Sequence, residues 1–164
     1  MGKYAFRDRP LTDTEMEILR LTLSTFRDGS GQQLIWGSMP NSRDYERALA
    51  AVVNGTTPEN KGIFDVAVPT DDGAPFGISC KMVKFPPARH LCSFMELSNA
   101  SAKFRDHLLT SRVTYATEPM LAGPAIIDLV SLWHAAEAVS YDLEGSRYSV
   151  LAHDSRWEWF LLPT

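Results

Sequence analysis

Two cysteines, Cys80 and Cys92, are all that 164 residues contain. They form neither a disulfide framework nor a paired metal-ligand motif. The expectation is a reduced protein of the cytoplasm. The four histidines, His90, His107, His134 and His153, are scattered, and no pair has the spacing of a zinc site. No apolar run approaches the length of about 18 residues that suggests a membrane span, so no membrane partner is expected. The opening segment, Met1 to Asp8, lacks the apolar stretch of a signal peptide. Phe6 stands where a myristoylation motif needs Ser or Thr. The glycine-rich stretch Asp28-Gly29-Ser30-Gly31 lacks the Lys-Ser/Thr of a phosphate-binding loop. Internal repeats and low-complexity tracts are absent as well.

What is present is ordinary globular material: 45% apolar and 22% charged residues. The length predicts one domain with a real core. A net charge of −4 argues against a general polyanion binder, but the charge is uneven. Between Lys81 and Arg112 stand six bases (Lys81, Lys84, Arg89, Lys103, Arg105, Arg112) against two acids (Glu96, Asp106), a local +4. Such a stretch suits either a solvated surface or a face that meets phosphates.

Thr12-x-x-Glu15 is a capping box, and Met16, Leu19, Leu23 and Phe26 continue at helical spacing, which predicts a helix over 12–27. A second helix is expected from Ser42 to Val53, with Tyr45, Leu49 and Val52 as its stripe and Asn54-Gly55 as its stop. Two strand-like runs follow, 63–68 and 76–82, joined by the turn Thr70-Asp71-Asp72-Gly73. After Pro86-Pro87 a short run over 91–97 reads as a third strand or as the approach to a helix. Helices are then expected over 98–109, with Leu97, Phe104 and Leu108 inward, and from Pro124, with Ile127, Val130, Trp133 and Val139 inward. Strands over 147–152 and 157–162 complete a mixed α/β sheet flanked by helices.

The chemistry concentrates in the two central runs. Strand alternation puts Ser79 and Lys81 on one face and Ile78, Cys80 and Met82 on the other. Asp65 shares a face with Ile63 and Ala67, opposite Phe64, Val66 and Val68. An acid and a lysine among apolar neighbours are costly unless paired or used. As a pair they are either a cross-strand ion pair or parts of a phosphodiesterase. In the second case carboxylate oxygens hold Mg²⁺, which prefers oxygen ligands, and the lysine orients water or stabilises the transition state. Ser79 with Lys81 as its base would be a nucleophile pair, but no nucleophile-elbow glycines accompany it. Cys80 reads as a small core residue.

Asp65 followed by Ser79-Cys80-Lys81 resembles the PD-(D/E)XK nuclease superfamily, which includes most type II restriction endonucleases. The order helix, three strands, helix, strand resembles its αβββαβ core, covering about 42–152, with the 12–27 helix packed on it. The resemblance departs at two places. Phe64 replaces the proline before the aspartate, and Ser79 replaces the second acid. Some restriction enzymes with Ser-x-Lys draw a glutamate from further along the chain. Glu96, 15 residues beyond Lys81 in Met95-Glu96-Leu97-Ser98, is that residue here, although Ser93-x-x-Glu96 is also a capping box. Glu46 matches the helical glutamate upstream of the strands, and Glu59 is a weaker choice.

The resemblance implies a Mg²⁺-dependent endodeoxyribonuclease, with Mn²⁺ as a substitute ion and double-stranded DNA as substrate. Asp65 and Glu96 would hold the metal with Glu46 as auxiliary ligand. Lys81 would activate water and Ser79 would support the site. Lys84, Arg89, Lys103 and Arg105 would contact the DNA backbone, and Trp36 is the aromatic placed for substrate contact. Cutting both strands calls for two sites, hence a homodimer. Two other readings stay open: a decayed site left as a DNA-binding or assembly module, and the catalytic part of a longer restriction enzyme.

Overall fold

Capping chemistry fixes the first two helices. Thr12 Oγ1 accepts the Glu15 N–H at 3.2 Å, and the Glu15 carboxylate accepts the Thr12 N–H at 2.7 Å. Helix α1 (Asp13–Ser24) follows, burying Leu19 and Leu23 while Met16 stays exposed. Arg9 grips the same Glu15 carboxylate with two nitrogens, at 2.6 and 2.8 Å. A 3-10 turn, Thr25–Asp28, ends this segment. Helix α2 (Ser42–Val52) opens with a second capping box, Asn41 with Asp44. It closes at Asn54, whose φ of 55° places it in the left-handed region that terminates helices. Between α1 and α2 lies a hairpin absent from the sequence expectations, β1 (Gln32–Leu34) with β2 (Gly37–Met39). The computed structural model describes residues 2–28, 31–34, 37–59, 62–84, 101–153 and 159–162.

The main sheet has four strands in the order β3-β4-β5-β6: β3 (Val66–Val68), β4 (Phe76–Lys84), β5 (Asp142–His153) and β6 (Trp159–Leu162). β3 is antiparallel to β4, β4 is parallel to β5, and β5 is antiparallel to β6, so the sheet is mixed, as expected. On the outer side of β3, Thr56 and Ala67 exchange both backbone hydrogen bonds at 2.8 Å. The core lies on one sheet face. There Val66, Val68, Phe76, Ile78, Cys80 and Leu151 meet Leu19 and Leu23 of α1 and Tyr45, Ala48 and Leu49 of α2. Each fully buried Leu or Ile here is worth about 1.5–3 kcal/mol. The expected run over 91–97 lies outside the described residues.

The N-terminal segment braces the β3–β4 turn. Arg7 lies over the Tyr4 ring at 4.5 Å and pairs with Asp8 at 2.9 Å and Asp72 at 3.2 Å. Lys3 pairs with Asp71, whose N–H donates to the Tyr4 hydroxyl at 2.8 Å. These contacts raise the Arg7 pKa and lower those of Asp8 and Asp72.

The chain divides into two compact units, Met1–Ser93 with Ser140–Thr164, and Phe94–Val139. The second unit holds α3 (Ser101–Thr110) and α4 (Pro119–Glu137), joined through Phe104 and Trp133, whose ring centroids are 5.5 Å apart. α4 starts at Pro119, not Pro124: Pro119 takes the first-turn place that tolerates a missing N–H, and Pro124 falls inside the helix. Two residues expected to point inward do not, since Ile127 is 65% and Val139 86% exposed. By length and composition α4 is also apolar enough to cross a membrane, with a mean hydropathy of 1.2 over 18 residues and 6% of that window buried.

Candidate active site at the β3–β4 hairpin

Asp65 immediately precedes β3. Val66 is the partner of Ile78, yet the Asp65 N–H also donates to the Ile78 carbonyl, at 3.0 Å. Two consecutive residues therefore answer to one on β4, as in a β-bulge, a feature that re-aims side chains beside active sites. Its consequence is visible at Phe64. Simple alternation sets Phe64 on the face of Val66, but its ring lies over Gly77, packed at 5.1 Å against Tyr141. A Cβ on Gly77 would fall 2.0 Å from Phe64 Cγ, so only glycine fits under that ring.

The bulge delivers the Asp65 carboxylate to the edge of β4. Oδ2 accepts the Cys80 N–H at 2.8 Å and lies 3.5 Å from Ser79 Oγ. Both hydrogen bonds go to Oδ2. The Cys80 N–H belongs to the row that β3 would pair if it began earlier, so the carboxylate substitutes for a strand there. Ser79 is buried and Lys81 is half-buried.

From the helix layer comes Glu46, 8% exposed on α2. Its neighbour Tyr45 is fully buried, and the hydroxyls of Tyr45 and Ser149 of β5 are hydrogen-bonded at 2.6 Å. Burial raises the Tyr45 pKa and the Cys80 side adds to that, while the Ser149 bond works against it. Cys80 reports the local electrostatics. Burial pushes its thiol well above the usual range, the charges of Asp65 and then Glu46 push the same way, and Lys81 pulls it down. The thiol is thus neutral, which fits its place in the core and excludes it as a nucleophile.

Asp65 therefore touches Ser79 and the Cys80 N–H, with Lys81 next along the strand on the face of Ser79, while Glu46 stands on α2, which packs against the opposite, Cys80 face. The other expected residues lie outside the described residues, are exposed, or are carried by other elements. Glu96 and Arg89, like Trp36, lie outside the described residues. Lys84 ends β4, in register with His153. Lys103 and Arg105 are on α3 in the other unit: Lys103 Nζ stands 5.2 Å from the centre of the Trp133 ring, and Arg105 pairs with Asp106 at 3.5 Å. Glu59 is exposed. Among the described residues no group of three His, Cys, Asp or Glu side chains is placed to hold a metal ion.

No family model, curated protein or solved structure matches the chain.

Sequence reading missed the Tyr45–Ser149 bond and the bulge at Asp65. Residues 45 and 149 are 104 positions apart, and no local pattern couples them. The bulge had one legible trace, the glycine at 77 inside a strand pattern.

Proposed function

We propose that this protein is a Mg²⁺-dependent endodeoxyribonuclease of the restriction-endonuclease-like kind, acting on double-stranded DNA as a homodimer. The observation that carries the reading is the Asp65 carboxylate held against Ser79 and the Cys80 N–H at the β3–β4 hairpin, beside Lys81 on the same strand as Ser79. Supporting it is the order of elements: α2, the Thr56 bridge, β3, β4, helices, then β5 parallel to β4. The Thr56–Ala67 contact is an isolated bridge and not a strand, so the described elements correspond to αβββαβ in α2, β3, β4 and β5 alone.

The donor set suits a hard cation. Asp65 Oδ1 takes none of the hydrogen bonds that hold Oδ2, and Glu46 or Glu96 would supply a second carboxylate. Mg²⁺ characteristically uses one or two carboxylates plus substrate phosphate. Bound there, it would neutralise phosphate charge and acidify a water. Asp65 contributes a fixed negative charge, oriented by the Cys80 N–H. Lys81 orients the attacking water or stabilises the negative charge that develops on the phosphoryl oxygens. Ser79 adds a hydroxyl beside Asp65 but no charge. A second reading, a decayed site kept for DNA binding or assembly, draws on Ser79 in the acid position and on the lack of a three-ligand group among the described residues.

The test is plasmid cleavage by purified protein with Mg²⁺, and with EDTA. The expected result is Mg²⁺-dependent nicking or cutting that Lys81→Ala abolishes while the circular dichroism spectrum is unchanged. Binding of DNA without any cleavage selects the decayed-site reading.

A further inference from the structure

The parallel register of β4 and β5 places a residue beside the site that the nuclease motif does not include. Ser79 pairs with Tyr148, Cys80 with Ser149 and Lys81 with Val150. Paired residues on adjacent strands share a sheet face, and strands lie about 4.8 Å apart. Cys80 and Ser149 face α2, as the Tyr45–Ser149 bond requires. Ser79, Lys81, Tyr148 and Val150 therefore occupy the opposite face together. On it Ser79 and Val150 are each 4% exposed, whereas Tyr148 is 38% exposed. Tyr148 is thus more exposed than Ser79 and Val150 on this face, one strand away from the serine that touches Asp65.

We infer that Tyr148 is a substrate-contact residue of this site, its phenol O–H donating to a phosphate oxygen of the DNA backbone next to the scissile bond. The inference rests on the nuclease reading above. The chemistry favours a phosphate as recipient. The face is lined by a hydroxyl and an ammonium group, Ser79 and Lys81, and a phenol is a neutral donor that adds affinity and register without sequence preference. Ordinary half-exposed tyrosines are common in strands. What distinguishes Tyr148 is its register opposite Ser79.

The experiment compares wild type, Tyr148→Phe, Tyr148→Ala and Lys81→Ala on supercoiled plasmid with Mg²⁺, under single-turnover conditions across a range of enzyme concentrations. Thermal unfolding of each is measured in parallel. The expected result is about a tenfold rise in the half-saturating concentration for Tyr148→Phe, with the maximal rate and melting temperature of wild type. Tyr148→Ala gives a rise at least as large and also lowers the melting temperature, because it removes a half-buried ring. A neutral donor leaves the salt dependence of binding unchanged, whereas loss of a phosphate-contacting cation lowers its slope by about one. If Tyr148→Phe equals wild type while Lys81→Ala is dead, the nuclease reading stands and this inference is wrong. If wild type itself neither binds nor cuts DNA, both are wrong.

Discussion

Asp65 has two jobs in this structure, and two substitutions separate them. Its Oδ2 satisfies the N–H of Cys80, a residue only 8% exposed. A hydrogen bond to a charged group contributes about 1.5–3 kcal/mol, and removing the acceptor leaves a buried donor unpaired. Asp65→Ala is therefore expected to cost about 2–3 kcal/mol. For a chain of this size that lowers the melting temperature by about 4–12 °C. Asp65→Asn keeps an oxygen in the same place. It loses the charge but leaves the Cys80 N–H paired, so its cost is about 1 kcal/mol or less.

The measurement is thermal unfolding followed by circular dichroism, first in EDTA and then with increasing Ca²⁺, which resembles Mg²⁺ in taking oxygen ligands. In EDTA the order is wild type, then Asn, then Ala. A ligand at ten times its dissociation constant stabilises the folded state by about 1.4 kcal/mol. Wild type gains that increment and neither variant does. Equal destabilisation by Asn and Ala would refute the structural role given to Oδ2. A full Ca²⁺ response in the Asn variant would remove Asp65 from the metal site.

Three other perturbations follow from the same geometry. Gly77→Ala forces the Phe64 ring away and is expected to cost about 1–3 kcal/mol in chemical denaturation while weakening the divalent response. Tyr45→Phe leaves the Ser149 hydroxyl without its buried partner and costs about 1–2 kcal/mol; in a double-mutant cycle with Ser149→Ala the double variant loses less than the sum of the singles. Glu15 is held down to about pH 2, chiefly by the Arg9 guanidinium. Its folded pKa lies below the ordinary 4.5, so its contribution is complete above about pH 5 and is lost as pH falls toward 2. Arg9→Ala should flatten that part of the acid-denaturation curve, and an unchanged curve would show that the pair does not govern it.

Local chemistry made much of the fold legible. Thr12 with Glu15 announced α1, and Asn54-Gly55 announced the end of α2, because capping and left-handed stops are settled by a few neighbouring residues. The β3–β4 hairpin followed from alternation and the polar turn 70–73. What failed was settled by distant contacts. β5 begins at Asp142 rather than Arg147, although Asp142 and Gly145 look like turn residues. Asp142 keeps its N–H bonded to the Pro75 carbonyl at 2.9 Å, and the register slips between Phe76 and Ile78 to admit the extra length. Pro124 resembled a helix start, but Pro119 provides a better one five residues earlier. Within the site, the placing of Asp65 and Lys81 on adjoining hairpin segments was legible, but the Asp65 bond to the Cys80 N–H was not, because it depends on the irregular pairing before β3.

Ser79 leaves the site short of one negative charge, and Glu46 and Glu96 are the two carboxylates proposed to make up the difference. Glu96 fits the resemblance by sequence spacing. Glu46 is buried on α2, the helix that packs over Cys80, and matches the resemblance by its place on the helix upstream of the strands. Glu46→Gln preserves shape and hydrogen-bonding capacity while deleting the charge. If Glu46 is a ligand, this variant should need at least about tenfold more Mg²⁺ for half-maximal cleavage, equivalent to about 1.4 kcal/mol, and should lose the Ca²⁺-dependent rise in melting temperature, with stability in EDTA held or improved. Glu96→Gln, measured beside it, should have the smaller effect. The reverse order would return the second ligand to Glu96 and leave Glu46 as a structural acid.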